Sequence, residues 1–365
     1  DVYKRQIMER TREWELRDSA GFTLPSDGQN IRMIYNLTSR QNISTNRLAF
    51  YVADSYRLNT SVGYFAFNAG LRFSYWDFNR EFLVSPRANV AFVPERNNAW
   101  TFRFATGLYY QQPFYKEFRQ PIEDSYGNTV IHLNSDIKSQ QSLHFILGSD
   151  YTFRMFDRPF KLSAEAYYKK LNKLIPYEID NLKIVYQGRN LTDGYTTGLD
   201  LKLFGQFVPG TDSWISFSLM KSEQTIRETT KAPLPNSPGY NIGLFFQDYF
   251  PGYKRVQLNL KGVLSGGLPV TIPNKGYEDG YFRTPAYKRV DMGISYQLIE
   301  EDDLIRNRGF FRYLKNAWLG LDVFNLFDMK NVNSYYWITR SDNNQFAVPN
   351  YLTGRQINVR LLIDF

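Results

Sequence analysis

The sequence predicts an all-β fold, a transmembrane antiparallel β-barrel, on three observations. Apolar and polar residues alternate over long segments, such segments recur along the whole chain, and the connections between them are either short or long. Alternation with a period of two residues is typical of a strand with one apolar and one polar face. Short turns at one rim and long loops at the other are typical of barrels that cross outer membranes.

About fourteen segments have this pattern. Most are about twice as long as the five or six residues usual in soluble sheets, and a tilted strand needs about 9–11 residues to cross a bilayer. The last strand shows the pattern most clearly, because apolar residues occupy every second position up to Phe365. The predicted spans are 3–17, 45–57, 60–76, 83–94, 98–110, 140–155, 159–172, 193–207, 213–225, 238–249, 253–266, 285–299, 315–328 and 351–365.

The connections complete the barrel pattern. Gly, Pro, Asn and Asp dominate the short ones, as tight turns require. We expect an extra hairpin in 173–192 and a charged connection with a short helix in 300–314. The predicted short turns are 58–59, 94–98, 156–158, 209–212 and 249–252, and the predicted long loops are 18–44, 111–139, 226–237, 267–284 and 329–350.

Composition supports one amphipathic β domain over residues 1–365. Aromatic residues make up 17% of the chain, with 27 Tyr and 29 Phe, although the mean hydropathy is only −0.45. The chain contains no run of about 18 apolar residues, so no transmembrane helix is predicted. Residues 1–20 contain no apolar signal-peptide core, so for an exported protein we expect a further N-terminal part.

Charge and residue content argue against several other functions. The net charge is +8, but Lys and Arg are spread along the strands, so no nucleic-acid partner is expected. The absence of cysteine excludes disulfides and thiolate metal sites. The two histidines are His132 in a long loop and His144 on a polar strand face, and we interpret them as ordinary polar positions. We therefore expect no enzyme, no catalytic residue, no metal site and no cofactor.

The C-terminal segment resembles a known family. Residues 319–331, LGLDVFNLFDMKN, followed by a last strand that ends in Phe365, resemble the C-terminus of TonB-dependent outer-membrane receptors. Further matches to strands of these receptors, in the form found in Bacteroidetes-like bacteria, are RLAFYVADSYRL at 47–58, GLYYQQPF at 107–114, QGRNLTDGYTTG at 187–198 and LSGGLP at 264–269.

The resemblance implies a barrel of twenty-two strands, of which this chain holds about fourteen, and a plug domain that is not found here. It implies TonB-dependent uptake of a scarce nutrient, such as a ferric siderophore, cobalamin or a glycan, across the outer membrane of a Gram-negative cell. The implied partners are the TonB complex acting through the plug, the barrel-assembly machinery with Phe365 as its signal, outer-membrane lipid and a small nutrient ligand. A complete fourteen-stranded passive channel and a soluble β-rich binding protein remain as alternatives.

Substrate contact is expected on the long loops and the polar face, because binding residues concentrate on loops. Cations on the polar face, Arg72 and Arg103 among them, would attract an anionic ligand, although paired charges on a barrel wall explain them equally well. Packing between loops is likewise the alternative for the aromatic residues. Asn325 and Asp328 are predicted to shape a turn at the rim. The candidate aromatic contacts are Tyr109, Tyr110, Phe114 and Tyr115 on one loop, and Tyr335, Tyr336 and Trp337 on the last.

Overall fold

A computed structural model gives the fold. It describes residues 2–18, 31–123, 129–180, 183–208, 210–226, 229–250, 252–272, 276–300, 309, 313–339 and 344–365.

Strands account for most of the described chain, with one short α-helix, α1 (Tyr115–Phe118), and one 3-10 turn at Tyr277–Asp279. None of the described helices is long and apolar enough to cross a membrane. The strands are β1 (Val2–Asp18), β2 (Ile31–Thr60), β3 (Gly63–Trp76), β4 (Glu81–Pro94), β5 (Trp100–Gln111), β6 (Arg119–Glu123), β7 (Thr129–Leu133), β8 (Gln140–Met155), β9 (Arg158–Leu174), β10 (Tyr177–Asp180), β11 (Lys183–Tyr186), β12 (Thr192–Val208), β13 (Thr211–Ile226), β14 (Thr230–Pro233), β15 (Tyr240–Phe250), β16 (Tyr253–Ser265), β17 (Pro269–Val270), β18 (Phe282–Arg283), β19 (Tyr287–Ile299), β20 (Asn316–Phe324), β21 (Val332–Thr339), β22 (Gln345–Tyr351) and β23 (Gln356–Asp364).

One antiparallel sheet organises these strands. Its order is β1-β2-β3-β4-β5-β8-β9-β12-β13-β15-β16-β19-β20-β23, with β14 added to β13 outside this path. Four two-stranded hairpins, β6–β7, β10–β11, β17–β18 and β21–β22, lie in the long connections. Each of the fourteen predicted strands has its counterpart in this sheet, and the hairpin predicted in 173–192 is confirmed by β10 and β11. Most of 300–314, including the predicted helix, falls outside the described residues.

The first hairpin differs from the prediction. The expected loop 18–44 is wrong over residues 31–44, because β2 begins at Ile31 and pairs with β1 from Asp18 opposite Ile31 to Val2 opposite Leu48. This segment is rich in polar residues and lacks clear alternation, so only main-chain pairing reveals the strand. β1 therefore lies along the half of β2 that is farthest from the β2–β3 turn.

The β2–β3 turn also lies at a different position from the predicted one. It was predicted at 58–59, but Thr60 pairs with Gly63 and the turn is Ser61–Val62. Gly63 has a φ of 146°, and a Cβ there would lie 2.3 Å from the carbonyl oxygen of Val93. This conformation and this close approach require glycine at the strand start.

The NLFD segment forms a turn beyond β20, so the predicted strand end at 328 is wrong while the predicted rim turn is confirmed. Asn325 and Asp328 have φ values of 52° and 51°. The Asn325 side chain accepts a hydrogen bond from Met329 N at 2.9 Å and donates to Met329 O at 3.0 Å. The Asp328 carboxylate accepts one from Arg355 N at 2.8 Å. Asn and Asp tolerate this left-handed conformation better than other residues.

The two faces of the sheet differ as the alternation predicts. On the polar face, Ser55, Asn68 and Asn89 form a cross-strand chain of hydrogen bonds of 2.6 and 2.8 Å. On the apolar face, Phe50 and Phe82 flank Phe73 and are 66% and 63% exposed. Protein covers little of this apolar surface, which requires an apolar surrounding.

Candidate functional site

The polar face carries an ion-pair cluster centred on Asp150. This buried carboxylate accepts hydrogen bonds from Arg103 at 3.1 Å, Lys161 at 3.2 Å and the Ser163 hydroxyl. Arg103 also lies 4.0 Å from Glu165. The cluster forms because β5, β8 and β9 are neighbours in the sheet. Arg103 is thus placed on the face predicted for it, with its charge already paired, and its role as a substrate contact remains a prediction.

A second group on this face surrounds Tyr109. Its ring lies between the Arg87 guanidinium, 4.3 Å from the ring centroid, and the His144 imidazole, 4.4 Å between centroids. Gly107 makes room for this stack, since a Cβ there would lie 3.0 Å from the Tyr109 ring and 3.1 Å from Arg87 Cγ. His144 is on the polar face, as predicted. The exposed Arg87 guanidinium beside this ring offers a charge for an anionic group.

The neighbouring candidates are separated by the strand alternation. Tyr110 points to the opposite face from Tyr109, where its hydroxyl accepts a hydrogen bond from Gln141 Nε2 at 3.2 Å. Arg72 is exposed on the polar face between Tyr51 and Ser85. It forms no ion pair within the part of the chain that the structure describes, so its charge is available to a ligand.

Loop residues pack against side chains of β2 and β3 in a hydrophobic cluster, which we call the rim cluster. Trp76, Phe118 and Ile137 are at most 2% exposed within it, and Phe118 lies at the end of α1. The Arg47 guanidinium covers the Trp76 ring at 4.2 Å and donates to the Pro113 carbonyl at 3.2 Å. The rim cluster therefore attaches the loop after β5 to the sheet. Its buried members are Ile43, Trp76, Phe118, Ile137 and Ile175, with Phe78, Tyr115, Leu133 and Tyr186 packed around them.

Glu117 connects three segments beside the rim cluster. Its carboxylate accepts hydrogen bonds from Phe114 N and from Gln140 Nε2, both at 3.0 Å. The Gln140 side-chain oxygen accepts in turn from Ile175 N at 3.2 Å. Burial raises the pKa of Glu117 above its ordinary value of 4.5, against the two hydrogen bonds that favour the ionised form. Nothing in the local sequence singled out this glutamate, because its burial depends on distant segments.

The predicted loop position is wrong for two of the four aromatic candidates, because Tyr109 and Tyr110 pair with β8 as part of β5. Tyr115 packs edge-on against Phe118 at 5.6 Å between ring centroids, inside the loop structure. Phe114 meets Tyr186 edge-on at 5.3 Å but keeps 39% of its surface exposed. Phe114 is therefore the most exposed of the four.

The last loop places two of its three aromatic candidates together. Tyr335 and Trp337 lie 6.4 Å apart, and both face Phe282, at 5.5 and 6.1 Å between centroids. Tyr336 is on the other side of the β21 strand and is 46% exposed. Sequence reasoning missed Phe282; its position as an aromatic residue in a predicted long loop was the available signal.

Arg283 holds this region in place. Its guanidinium Nη1 donates to the carbonyl oxygens of Ser237 at 2.6 Å and Gly267 at 2.8 Å. It thereby joins the loops before β15 and after β16. The aromatic group on Phe282 consequently rests on a fixed backbone.

The remaining candidates lie apart from these groups. Phe365 follows the end of β23 and is 68% exposed. His132 is exposed in β7, within the predicted loop. Among the described residues, no three His, Asp or Glu side chains converge as metal ligands would.

Comparison with known proteins identifies the family to which this sheet belongs. A family model described as TonB-dependent receptor-like β-barrel matches residues 8–326. The chain belongs to the TonB-dependent receptors. The structure accordingly shows fourteen antiparallel strands of a partial TonB-dependent barrel, as the resemblance predicted. A search of curated protein sequences gave no match.

Solved receptors share the fold. FyuA, the ferric yersiniabactin uptake receptor of Yersinia pestis, is 16% identical with a TM-score of 0.64, over 100% of this chain and 50% of FyuA. The outer membrane transporter YddB of Escherichia coli is 12% identical with a TM-score of 0.63, over 99% and 50%. PfeA, the ferric enterobactin receptor of Pseudomonas aeruginosa, is 15% identical with a TM-score of 0.59, over 88% and 45%. The chain thus spans about half the length of these receptors.

Proposed function

We propose that the full-length protein is an outer-membrane transporter that takes up a ferric siderophore with energy supplied through TonB. The observation that carries this proposal is the polar face of a TonB-dependent barrel sheet with exposed cations on it. Arg72 has no described acidic partner, and Arg87 stacks on Tyr109 without one. Surfaces of one charge sign concentrate oppositely charged ligands, and ferric siderophores are commonly anionic.

Aromatic groups near the same rim support this ligand class. Phe114 on the first loop and the Phe282–Tyr335–Trp337 group offer ring surface, and Tyr109 on the polar face offers the edge of its ring. Such rings bind aryl or flat chelating groups by stacking. Two of the solved receptors with this fold carry ferric siderophore names, those for enterobactin and yersiniabactin.

An uptake assay tests the function. The full-length receptor is produced in a Gram-negative strain that lacks its own siderophore receptors, and cells receive iron-55 bound to enterobactin or to yersiniabactin. We expect uptake of at least one complex, and we expect deletion of TonB to abolish it. Uptake that persists without TonB would support the passive channel, whereas uptake of labelled cobalamin or a glycan alone would overturn the siderophore assignment.

A charge substitution tests the role of the polar face. Arg72→Gln is expected to weaken binding of an anionic ferric siderophore about fivefold, corresponding to about 1 kcal/mol. The matched control is Lys254→Gln, a cation next to the short β15–β16 turn on the apolar-face side. Equal affinities for wild type and Arg72→Gln, measured by tryptophan fluorescence quenching at low salt, would remove Arg72 from the site.

We also propose that Phe365 serves assembly of the barrel. It continues the apolar set Ile357, Val359, Leu361 and Ile363, and its side chain is exposed. Deleting Phe365 from the full-length protein is expected to lower its amount in the outer membrane. Unchanged surface levels of this variant, with Asp364→Asn as the control for a change in the same strand, would contradict the proposal.

A further inference from the structure

The apolar face contains a groove that crosses β2, β3, β4 and β5 and is bordered by Leu143 of β8. Its floor is a cross-strand row in which Asp54 pairs with Ala69, Ala69 with Ala88, and Ala88 with Thr106. A cavity of about 590 Å³ lies over this floor. Larger side chains border the floor on both sides and are called its walls here. The wall that lines the cavity is Val52, Leu71, Pro86, Leu108 and Leu143, and strand register places Tyr56, Phe67, Val90, Phe104 and Leu147 on the other side of the floor.

A break in the sheet opens this groove further. Pairing between β4 and β5 ends where Arg87 is opposite Gly107, and the next residue of β4 is Pro86. Proline has no N–H to donate to a neighbouring strand. The hydrogen-bonded ladder therefore stops beside the cavity, which Pro86, Gly107 and Leu108 line at this point.

Two charged residues line the groove, Asp54 and Arg87. Arg87 belongs to the polar-face series and lies over the Tyr109 ring, so Asp54 is the charge on the apolar face. On β2 the residues of the apolar face are Leu48, Phe50, Val52, Asp54, Tyr56 and Leu58, so Asp54 lies in the middle of an otherwise uncharged series. Its side chain is exposed, and within the described ranges its Oδ1 accepts a hydrogen bond from the N–H of the next residue, Ser55, at 2.9 Å. It forms no ion pair with any residue that the structure describes.

A membrane offers this carboxylate no counter-charge at that depth. If the sheet spans the outer membrane as proposed above, the middle of the apolar series faces acyl chains, where an acidic side chain is costly and is usually paired. Lipid headgroups are located at the two surfaces and do not reach it. A membrane-embedded protein segment can pack apolar side chains against the walls and place one basic side chain beside the Asp54 carboxylate.

We propose that this groove docks a membrane-embedded segment of another protein, with apolar side chains between the walls and one Lys or Arg bound to Asp54. The inference rests on the proposed membrane location. The small floor residues allow the partner backbone to approach closely, as at other packed interfaces within membranes. Asp54 selects the cation, and Ala88 sets the depth that the partner can reach.

A defined probe tests the proposal with the full-length receptor in nanodiscs of phosphatidylcholine. Two synthetic leucine-rich membrane-spanning peptides are compared, one with a central lysine and one with methionine in its place. Association is measured by energy transfer from a label on the peptide to a label on a receptor loop. We expect the lysine peptide to associate about tenfold more tightly with wild type, and Asp54→Asn to abolish this preference.

Two further variants complete the test. Asp248→Asn, an acidic residue of the apolar-face series next to the β15–β16 turn, is expected to keep the tenfold preference. Ala88→Leu is expected to weaken the association of both peptides with the receptor. Heat-modifiable gel mobility checks that the barrel of this variant is folded. Equal binding of the two peptides to wild type would mean that acyl chains alone fill the groove and would overturn the proposal. Siderophore uptake by Asp54→Asn, expected to be unchanged, separates this result from the transport function.

Discussion

Replacing Phe118 with alanine tests whether the rim cluster holds the first long loop against the sheet. Phe118 is 2% exposed and contacts the rings of Trp76, Phe78 and Tyr115 at centroid distances of 5.8, 4.5 and 5.6 Å. Removing a fully buried phenylalanine side chain costs about 3–5 kcal/mol. At the lower end, the open population of this loop rises about 100-fold, since about 1.4 kcal/mol corresponds to a factor of ten.

Hydrogen exchange of the amides in 113–118 measures this opening in the folded full-length protein. The matched control is Phe114→Ala, which removes a 39% exposed ring and one edge contact with Tyr186, worth about 0.5–1.5 kcal/mol. We expect the barrel to stay folded in both variants, as judged by heat-modifiable gel mobility, because Phe114 and Phe118 lie outside the strands of the main sheet. An increase in exchange of less than threefold for Phe118→Ala would refute the view that this cluster anchors the loop.

Three further predictions concern a buried acid, a close backbone approach and a turn. Burial raises the pKa of Glu117 above 4.5 in the closed loop, so as pH rises the Glu117 carboxyl ionises in the open loop before it ionises in the closed loop. Opening should therefore be rarest at acid pH and become easier as pH rises from 4.5 through the folded-state pKa. Amide exchange that depends on pH equally in wild type and in Glu117→Gln would contradict this. A Cβ at Gly267 would lie 1.6 Å from the Thr284 carbonyl oxygen, whereas one at Gly262 meets only Leu244 at 3.7 Å. Gly267→Ala should therefore displace the Phe282 loop and raise its protease sensitivity, while Gly262→Ala should not. Asn325→Ala should destabilise the turn by about 2 kcal/mol through lost hydrogen bonds and backbone strain, and Asn325→Gly, which tolerates the positive φ, should cost less in thermal melts; equal losses would refute the strain argument.

The strands of the sheet could be predicted from the sequence because each carries its own pattern. Leu143, Phe145 and Leu147 alternate with His144 and Gly148, and the structure places them on opposite faces. The pattern fails where no face is apolar. Residues 31–44 alternate weakly, and their pairing with β1 became visible only in the structure.

The candidate site was predicted only in part. Arg72 and Arg103 lie on the polar face that alternation assigned to them. Tyr109 and Tyr110, expected on a loop, lie instead in β5 and point to opposite faces. The predicted aromatic residues Tyr335 and Trp337 do come together, but with Phe282, more than fifty residues earlier in the chain. Their meeting depends on how two long loops fold over the same rim.

The sequence by itself determined the strands, the two faces and the family. These follow from period-two alternation and from short motifs, which are local properties that each segment carries independently of the others. Only the tertiary structure decided that Asp150 neutralises Arg103, that Glu117 is buried, and that Asp54 shares a groove with Ala69 and Ala88. The physical reason is strand register, since contacts across a sheet depend on which residues of distant segments pair, and no single segment encodes that.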